Sequence, residues 1–374
     1  MNVWTIAPAL RQAAIDHVRA FAYTIPTDRP EADGTFAWDS TTLVLVEVRG
    51  GGKVGLGYTY SNSSITSLIS GALSDVVKRC DAFDPPAAWR AMNIAVRNMG
   101  RDGLAANGIS ALDTAIWDLK ARLLDVSLAS LFGRFREAIP IYGSGGFTSY
   151  SDDELCEQVS GWVERDGCRC VKMKIGSDPQ RDPDRVRVAK HAIGERMLFV
   201  DANGAYGRKQ ALALADIFAQ EADVRWFEEP VSADDLRGLA LIRKRAPAVM
   251  DVAAGEYGYD IDYFRRMLAA NAVDVQQADV TRCGGYTGFL QAAALCEAHH
   301  TDLSAHCAPS LHLPVSCAAP RLRNIEWFHD HARIERMLFD GTPTPKGGEI
   351  RPDLARPGNG LTFKFEDAER FRVA

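Results

Sequence analysis

Lys172 and Lys174, Asp201, Glu228, Glu256, Asp279 and His306 recur along the second half of the chain, closing the short apolar runs CRCVKMK, MLFVD, VRWFE, DVAAGE, VDVQQAD and TDLSAH. Glu326 follows one unit later in a weaker run, RNIE. Alternate residues of a strand share a face, so Lys172 and Lys174 point the same way, with Cα atoms about 6.6 Å apart. Two ammonium charges at that separation repel by about 2.5 kcal/mol at an effective dielectric near 20. One lysine is therefore expected to be neutral near pH 7, and a neutral lysine beside a cation is a general base.

Asp201, Glu228 and Glu256 offer three oxygen ligands from three consecutive units. A carboxylate set without Cys or His selects a hard cation, with Mg²⁺ as the expected metal. Glu229 directly follows Glu228 and faces elsewhere in a strand, so Glu228 is taken as the ligand and Glu229 as a residue behind it. Asn203, two residues after Asp201, offers its amide to a substrate. Asp279 and His306 lie on adjacent units; a carboxylate fixes the imidazole tautomer and raises its pKa, which suits proton transfer. His299, His300, His329 and His331 have no matching acidic framework and are expected at the surface.

Groups so far apart in the chain act together only if the chain closes into a ring. From Ile139 onward, short apolar strands alternate with amphipathic helices at a step of roughly 20 to 30 residues, the spacing of βα units. Eight such strands around a ring bring their C-terminal ends onto one rim, where the active sites of parallel β/α barrels are built. At 374 residues the chain can hold a barrel of about 250 residues and a smaller domain. Ser151 with Glu154 fits a capping box, and Ser232, Asp234 and Asp235 suit another helix start.

The region up to Arg134 reads as a separate α+β unit. Residues 13–24 and 41–48 are expected as strands, TTLVLVEV-RGGGK-VGLGYTY as a hairpin, and ISALDTAIWDLKARLL as a helix with Leu112, Ile116 and Leu119 on one face. Residues 24–39 form a polar segment expected to be a loop between strands and a lid, with Trp38 and Tyr60 as substrate contacts. The divisions expected are a capping domain over 1–134, a catalytic barrel over 135–340, and a Gly/Pro-rich segment over 341–374 that returns to the cap.

A formal charge of −6 provides no attraction for polyanions, so no nucleic-acid partner is expected. The opening MNVWTIAPALRQ lacks a signal-peptide pattern and no apolar stretch approaches a membrane span, which sets a cytoplasmic protein as the expectation. Eight scattered cysteines read as reduced thiols. Gly50, Gly52 and Gly55 match G-x-G-x-x-G, but a strand follows rather than a helix, which argues against a nucleotide site.

The motifs KMK at 172–174, DAN at 201–203, FEEP at 227–230, GE at 255–256, Asp279 in ADVTRCGG and His306 in SAHCAP together resemble the enolase superfamily, in its mandelate racemase subgroup. The resemblance spans nearly the whole chain. It implies an α/β fold, a (β/α)7β modified TIM barrel with an N-terminal α+β capping domain. It also implies Lys174 as base on one face of a small carboxylate substrate, Lys172 as its electrostatic partner, and the Asp279–His306 dyad on the other face. Asp201, Glu228 and Glu256 carry over as Mg²⁺ ligands and Glu326 as an acid near the substrate carboxylate; the superfamily uses a Lys or His base with Mg²⁺ to stabilise an enediolate. The activity expected is dehydration of an acid sugar to a 2-keto-3-deoxy acid, by a homo-oligomer. The competing expectations are a racemase or epimerase of a 2-hydroxy acid and a non-catalytic metal-binding barrel.

Overall fold

The computed structural model describes residues 13–374. Residues 1–12, on which the reading of the chain's start rests, lie outside the described region. The first three strands, β1 (Ile15–Ala32), β2 (Ala37–Gly50) and β3 (Lys53–Tyr60), form an antiparallel sheet in that order. Gly51 and Gly52 turn β2 into β3 with φ of 57° and 77°, values that a side chain would strain. The near-continuous apolar run in β2 arises because both faces of the sheet are covered. Val44, Val46 and Val48 enter the cap's own core, while Leu43 and Leu45 join the core shared with the barrel.

Helix α2 (Leu104–Leu124) packs on this sheet, and α1 (Pro85–Ala95) packs against α2. Leu112, Ile116 and Leu119 of α2 are buried in the cap core. Its polar residues are buried as well and tie the pieces together: Asp113 accepts from Thr287 N at 2.9 Å and Oγ1 at 2.6 Å, and Asp118 accepts from Leu56 N at 2.8 Å and Asn359 N at 2.6 Å. Gly55 and Gly57 let β3 lie directly on the α2 backbone; a Cβ on Gly57 would meet Ala111 O, Thr114 Oγ1 and Ala115 N. Gly57→Ala should therefore destabilise the protein by about 3 kcal/mol, the upper range for overpacking. A lowered urea midpoint at unchanged slope is the check; an unchanged midpoint would contradict this packing.

The expected loop over 24–39 is instead strand. β1 and β2 continue past the cap sheet as a two-stranded ribbon whose turn, residues 33–36, is built by Asp33 Oδ1 accepting from Thr35 N at 2.6 Å and Phe36 N at 2.8 Å. The register slips between Pro26 and Glu31, where Pro26 and Pro30 have no N–H to donate. This pairing rests on backbone hydrogen bonds, so apolar alternation did not reveal it. The ribbon tip is docked: Thr148 N donates to Ala32 O at 2.8 Å and Thr148 Oγ1 to Asp33 O at 2.7 Å.

Eight parallel strands close the barrel: β4 (Ile139–Gly145), β5 (Cys170–Lys174), β6 (Met197–Asp201), β7 (Val224–Glu228), β8 (Asp251–Ala254), β9 (Val275–Ala278), β10 (Asp302–Ala305) and β11 (Leu322–Phe328). Pairing of β11 with β4 completes the ring. The crossovers are α3 (Asp152–Glu164), α4 (Asp182–Ile193), α5 (Arg208–Ala222), α6 (Leu236–Arg245), α7 (Ile261–Ala269), α8 (Gly285–Ala298) and α9 (Pro309–Ser316), and α10 (His329–Leu338) follows the last strand. α3 opens on the Ser151–Glu154 capping box; at α6 Asp235 alone caps, accepting from Gly238 N. Inside the barrel, Tyr142, Phe199, Trp226, Ala253 and Val275 form an apolar plug in which Phe199 and Trp226 stack at 5.0 Å. The charged rim stands above it.

The C-terminal segment adds a strand, β12 (Glu349–Ile350), antiparallel to β4, and ends on the cap, where Val373 N donates to Ala22 O at 2.8 Å. No helix among the described residues is long and apolar enough to cross a membrane.

Candidate active site

Strand register sets the rim. Lys174 pairs with Asp201 across β5–β6, and Asp201 pairs with Glu228 across β6–β7. Glu256 lies two residues beyond β8, after Gly255 at φ 142°, a bend that a Cβ would block against Gln277 O. One carboxylate oxygen from each of Asp201, Glu228 and Glu256 lies within 4.8 Å of the others, and the three residues are at most 5% exposed. Three buried, mutually repelling oxygen donors without sulfur or imidazole fit a hard divalent cation.

Lys172 Nζ reaches Glu228 Oε1 at 2.6 Å, Glu326 Oε1 at 2.8 Å and Asp201 Oδ2 at 3.4 Å. Lys174 Nζ reaches Asp201 Oδ2 at 2.6 Å. These contacts overturn the expectation of a neutral lysine in the protein alone. Burial disfavours both ammonium charges, but Glu228, Glu326 and Asp201 outweigh it and hold Lys172 well above its ordinary range, and Asp201 does the same for Lys174. Repulsion between the lysines is real, yet it is the weaker effect. Glu228 is pushed up to about 8 by burial and by the neighbouring Asp201.

On the far side of the trio, His306 Nδ1 lies 2.8 Å from Asp279 Oδ2. Asp279 is held in place by Thr281, whose N and Oγ1 both donate to Oδ1 at 2.7 Å. Burial opposes the imidazolium, but Glu326, Glu256 and Asp279 raise His306 above its ordinary pKa. Burial likewise opposes ionisation of Asp279, and the hydrogen bond and charge of His306 hold its carboxyl far below the usual range. The other imidazole nitrogen, Nε2, lies 3.5 Å from Glu256 Oε2 and 3.7 Å from Glu326 Oε2. Glu326 also accepts from Ser144 Oγ at 2.5 Å and Cys307 N at 3.0 Å.

These groups line a cavity of about 370 Å³ between barrel and cap. The barrel contributes Lys174, Asn203, Glu256, His306 and Glu326, and the ribbon and β3 contribute Trp38, Ser40, Thr41, Thr42, Tyr60 and Ser61. Asn203 does not continue the strand; it sits beyond β6 at φ 46°, yet its side chain still borders the cavity. A larger cavity of about 480 Å³ lies beyond Asn203 and Tyr257 and touches none of Lys174, His306 or Glu326.

Three residues of the site escaped the sequence reading. Arg282 Nη1 lies 3.3 Å from Glu256 Oε1 and its Nε 3.7 Å from Asp279 Oδ2, bridging the trio and the dyad; its place three residues after Asp279 was the available signal. Cys307 Sγ lies 3.4 Å from His306 Nε2. His331, expected at the surface, is buried and stacks on Tyr60 at 3.5 Å, and burial lowers its pKa to about 3. That burial is created by the cap strand, from a part of the chain 271 residues away, so nothing near His331 in sequence signals it. His329 is partly buried against Asp28, while His299 and His300 are exposed as expected.

Residues 20–133 match the mandelate racemase/muconate lactonizing enzyme N-terminal domain, and residues 154–368 match the enolase C-terminal domain-like family. A mandelate racemase/muconate lactonizing enzyme-like protein from Rubrobacter xylanophilus superposes with a TM-score of 0.94 at 50% identity, covering 96% of this chain and all of the other. The 3,6-anhydro-alpha-L-galactonate cycloisomerase of Streptomyces coelicolor is 30% identical over 369 residues, 96% of this chain and 99% of its own. The L-talarate/galactarate dehydratase of Salmonella typhimurium LT2 is 29% identical over 80% of this chain and 77% of its own. Its structure with Mg and L-lyxarohydroxamate superposes with a TM-score of 0.87 at 26% identity, covering all of this chain and 97% of that one. A chain that closes an eight-strand barrel under such a cap and matches both family domains is a member of the enolase superfamily, in its mandelate racemase subgroup.

Proposed function

We propose that this protein is a Mg²⁺-dependent acid sugar dehydratase that removes the proton α to a carboxylate and expels the β-hydroxyl, giving a 2-keto-3-deoxy acid. The observation that carries the reading is that, in the ring order, the trio's strands β6–β8 lie between β5 with Lys174 and β9–β10 with the Asp279–His306 pair, and that Lys174 and His306 border one cavity. When bound by Asp201, Glu228 and Glu256, the divalent ion supplies positive charge where the substrate carboxylate gains its second negative charge. Lys172 adds a fixed charge in the same region, and Glu326 orients it.

A divalent ion held by the trio would offset the carboxylate charge that otherwise keeps Lys174 protonated. As the neutral amine, Lys174 takes the α-proton, and the electron pair of the broken C–H bond moves into the enediolate. His306 Nε2 delivers a proton to the β-hydroxyl as its C–O bond breaks, so that water leaves and the resulting enol tautomerises to the 2-keto acid. Asp279 holds the imidazole in the required orientation through Nδ1. Ser40, Thr41, Thr42 and Ser61 line the cap side of the cavity and suit a polyhydroxylated chain. The magnesium-bound dehydratase relative supports the same reading. Eight unpaired thiols fit a cytoplasmic enzyme.

Incubation with a panel of aldonic and aldaric acids should yield a 2-keto acid with at least one of them in Mg²⁺ and none after chelation. Exchange of the α-proton with solvent deuterium and no keto acid would replace dehydration by racemisation or epimerisation. Neither reaction with any acid would leave a metal-binding barrel.

A further inference from the structure

A second cluster of ligand-bearing side chains sits where the ribbon meets the barrel, outside the cavity described above. Asp28 and Glu31 come from β1, and His329 opens α10; one ligand atom from each lies within 4.8 Å of the others. His329 Nε2 lies 2.9 Å from Asp28 Oδ2 and 3.1 Å from Oδ1. Glu31 is 1% exposed, and although its Oε2 accepts from Trp38 Nε1 at 2.8 Å, Oε1 has no partner. Asp330 beside it is fully buried, and its Oδ2 is also unpartnered.

Asp28, Glu31 and Asp330 face the single guanidinium of Arg333, which binds Asp330 Oδ1 and donates to Pro26 O at 2.8 Å. Arg29 is engaged elsewhere, 3.3 Å from Glu154 and 3.4 Å from Glu157. Burial and the neighbouring Asp330 push the Glu31 carboxyl up, and its Oε1 is left without a donor. Buried carboxylate oxygens without a hydrogen-bond donor are costly, and a metal is one of the few groups that satisfies them. Asp28 and His329 border a cavity of about 230 Å³, which provides an entry path.

We propose that Asp28, Glu31 and His329 form a second divalent-metal site, for a first-row transition ion, that pins the ribbon tip to the barrel. Imidazole nitrogen with two carboxylate oxygens is a donor set suited to Zn²⁺, Co²⁺ or Mn²⁺, unlike the all-oxygen trio of the active site. The ion acts on the substrate cavity through Glu31, which holds Trp38, a residue of the cavity wall. Asp28, Glu31 and His329 are positioning residues in this scheme, and the site does not depend on which reaction the barrel performs.

Mn²⁺ titration of the full-length protein, followed by electron spin-echo modulation, tests this. The wild type should bind two ions per chain, one showing nitrogen modulation. His329→Gln should lose that modulation and bind the second ion at least about tenfold more weakly. Glu228→Gln, which disables the trio, should retain it. Glu31→Gln tests the site from the ribbon side and should weaken the same ion while leaving the fold's circular dichroism intact. Hydrogen exchange over 28–38 should slow when the second ion binds. A single ion per chain would show that Asp28 and His329 form an ion pair only and would overturn the proposal. Nitrogen modulation that persists in His329→Gln would overturn it equally.

Discussion

Replacing Lys174 with Met is expected to lower the rate of keto-acid formation by about 10³-fold, the mid-range for loss of a general base and equivalent to about 4 kcal/mol of barrel-assisted barrier lowering. Met keeps the unbranched apolar stem and is one atom shorter than the lysine side chain, which is buried at 6% exposure, so the barrel should remain folded. The trio keeps all three carboxylates, and Lys172 stays within 2.6 Å of Glu228, so metal stoichiometry should be unchanged. The variant should also fail to exchange the α-proton with solvent, because the same nitrogen performs that step. Rates of turnover and of deuterium incorporation, measured on the same sample, check both statements. Normal exchange in Lys174→Met would show that the proton leaves toward the other face.

His306→Asn should separate the two halves of the reaction. Loss of the acid should reduce dehydration by about 10³-fold, while Lys174 continues to remove and return the α-proton. Asn retains a polar group beside Asp279, whose carboxylate would otherwise lose its 2.8 Å partner in a buried site. The expected signature is deuterium appearing at the α-carbon without keto acid. If His306→Asn abolishes exchange and Lys174→Met spares it, the two roles are reversed and the substrate presents its proton to the imidazole. Exchange lost with one enantiomer in Lys174→Met and with the other in His306→Asn would instead mean that each face abstracts its own proton, as in a racemase.

The rim was legible in the sequence because a strand end is both a sequence feature and a spatial address. Asp201 and Glu228 are the last residues of β6 and β7, and Asp279 and His306 the first residues after β9 and β10, so reading the strands located the side chains. Glu256 was read as closing the run DVAAGE; it stands two residues past β8, and the Gly255 bend brings it back to the trio. What the sequence hid were effects of assembly. Repulsion between Lys172 and Lys174 could be computed from their spacing, but the carboxylates that reverse its outcome come from other strands. His331 is buried by Tyr60, and the polar ribbon owes its order to hydrogen bonds that no side-chain pattern records.

The ribbon also divides labour within the molecule. The groups proposed to make and break bonds stand on the barrel, whereas Trp38, Ser40, Thr41 and Thr42 approach from a hairpin whose root lies in another hydrophobic core. On the proposed assignment, exchanging residues along that hairpin should re-address the enzyme to a different acid while the reacting groups keep their places.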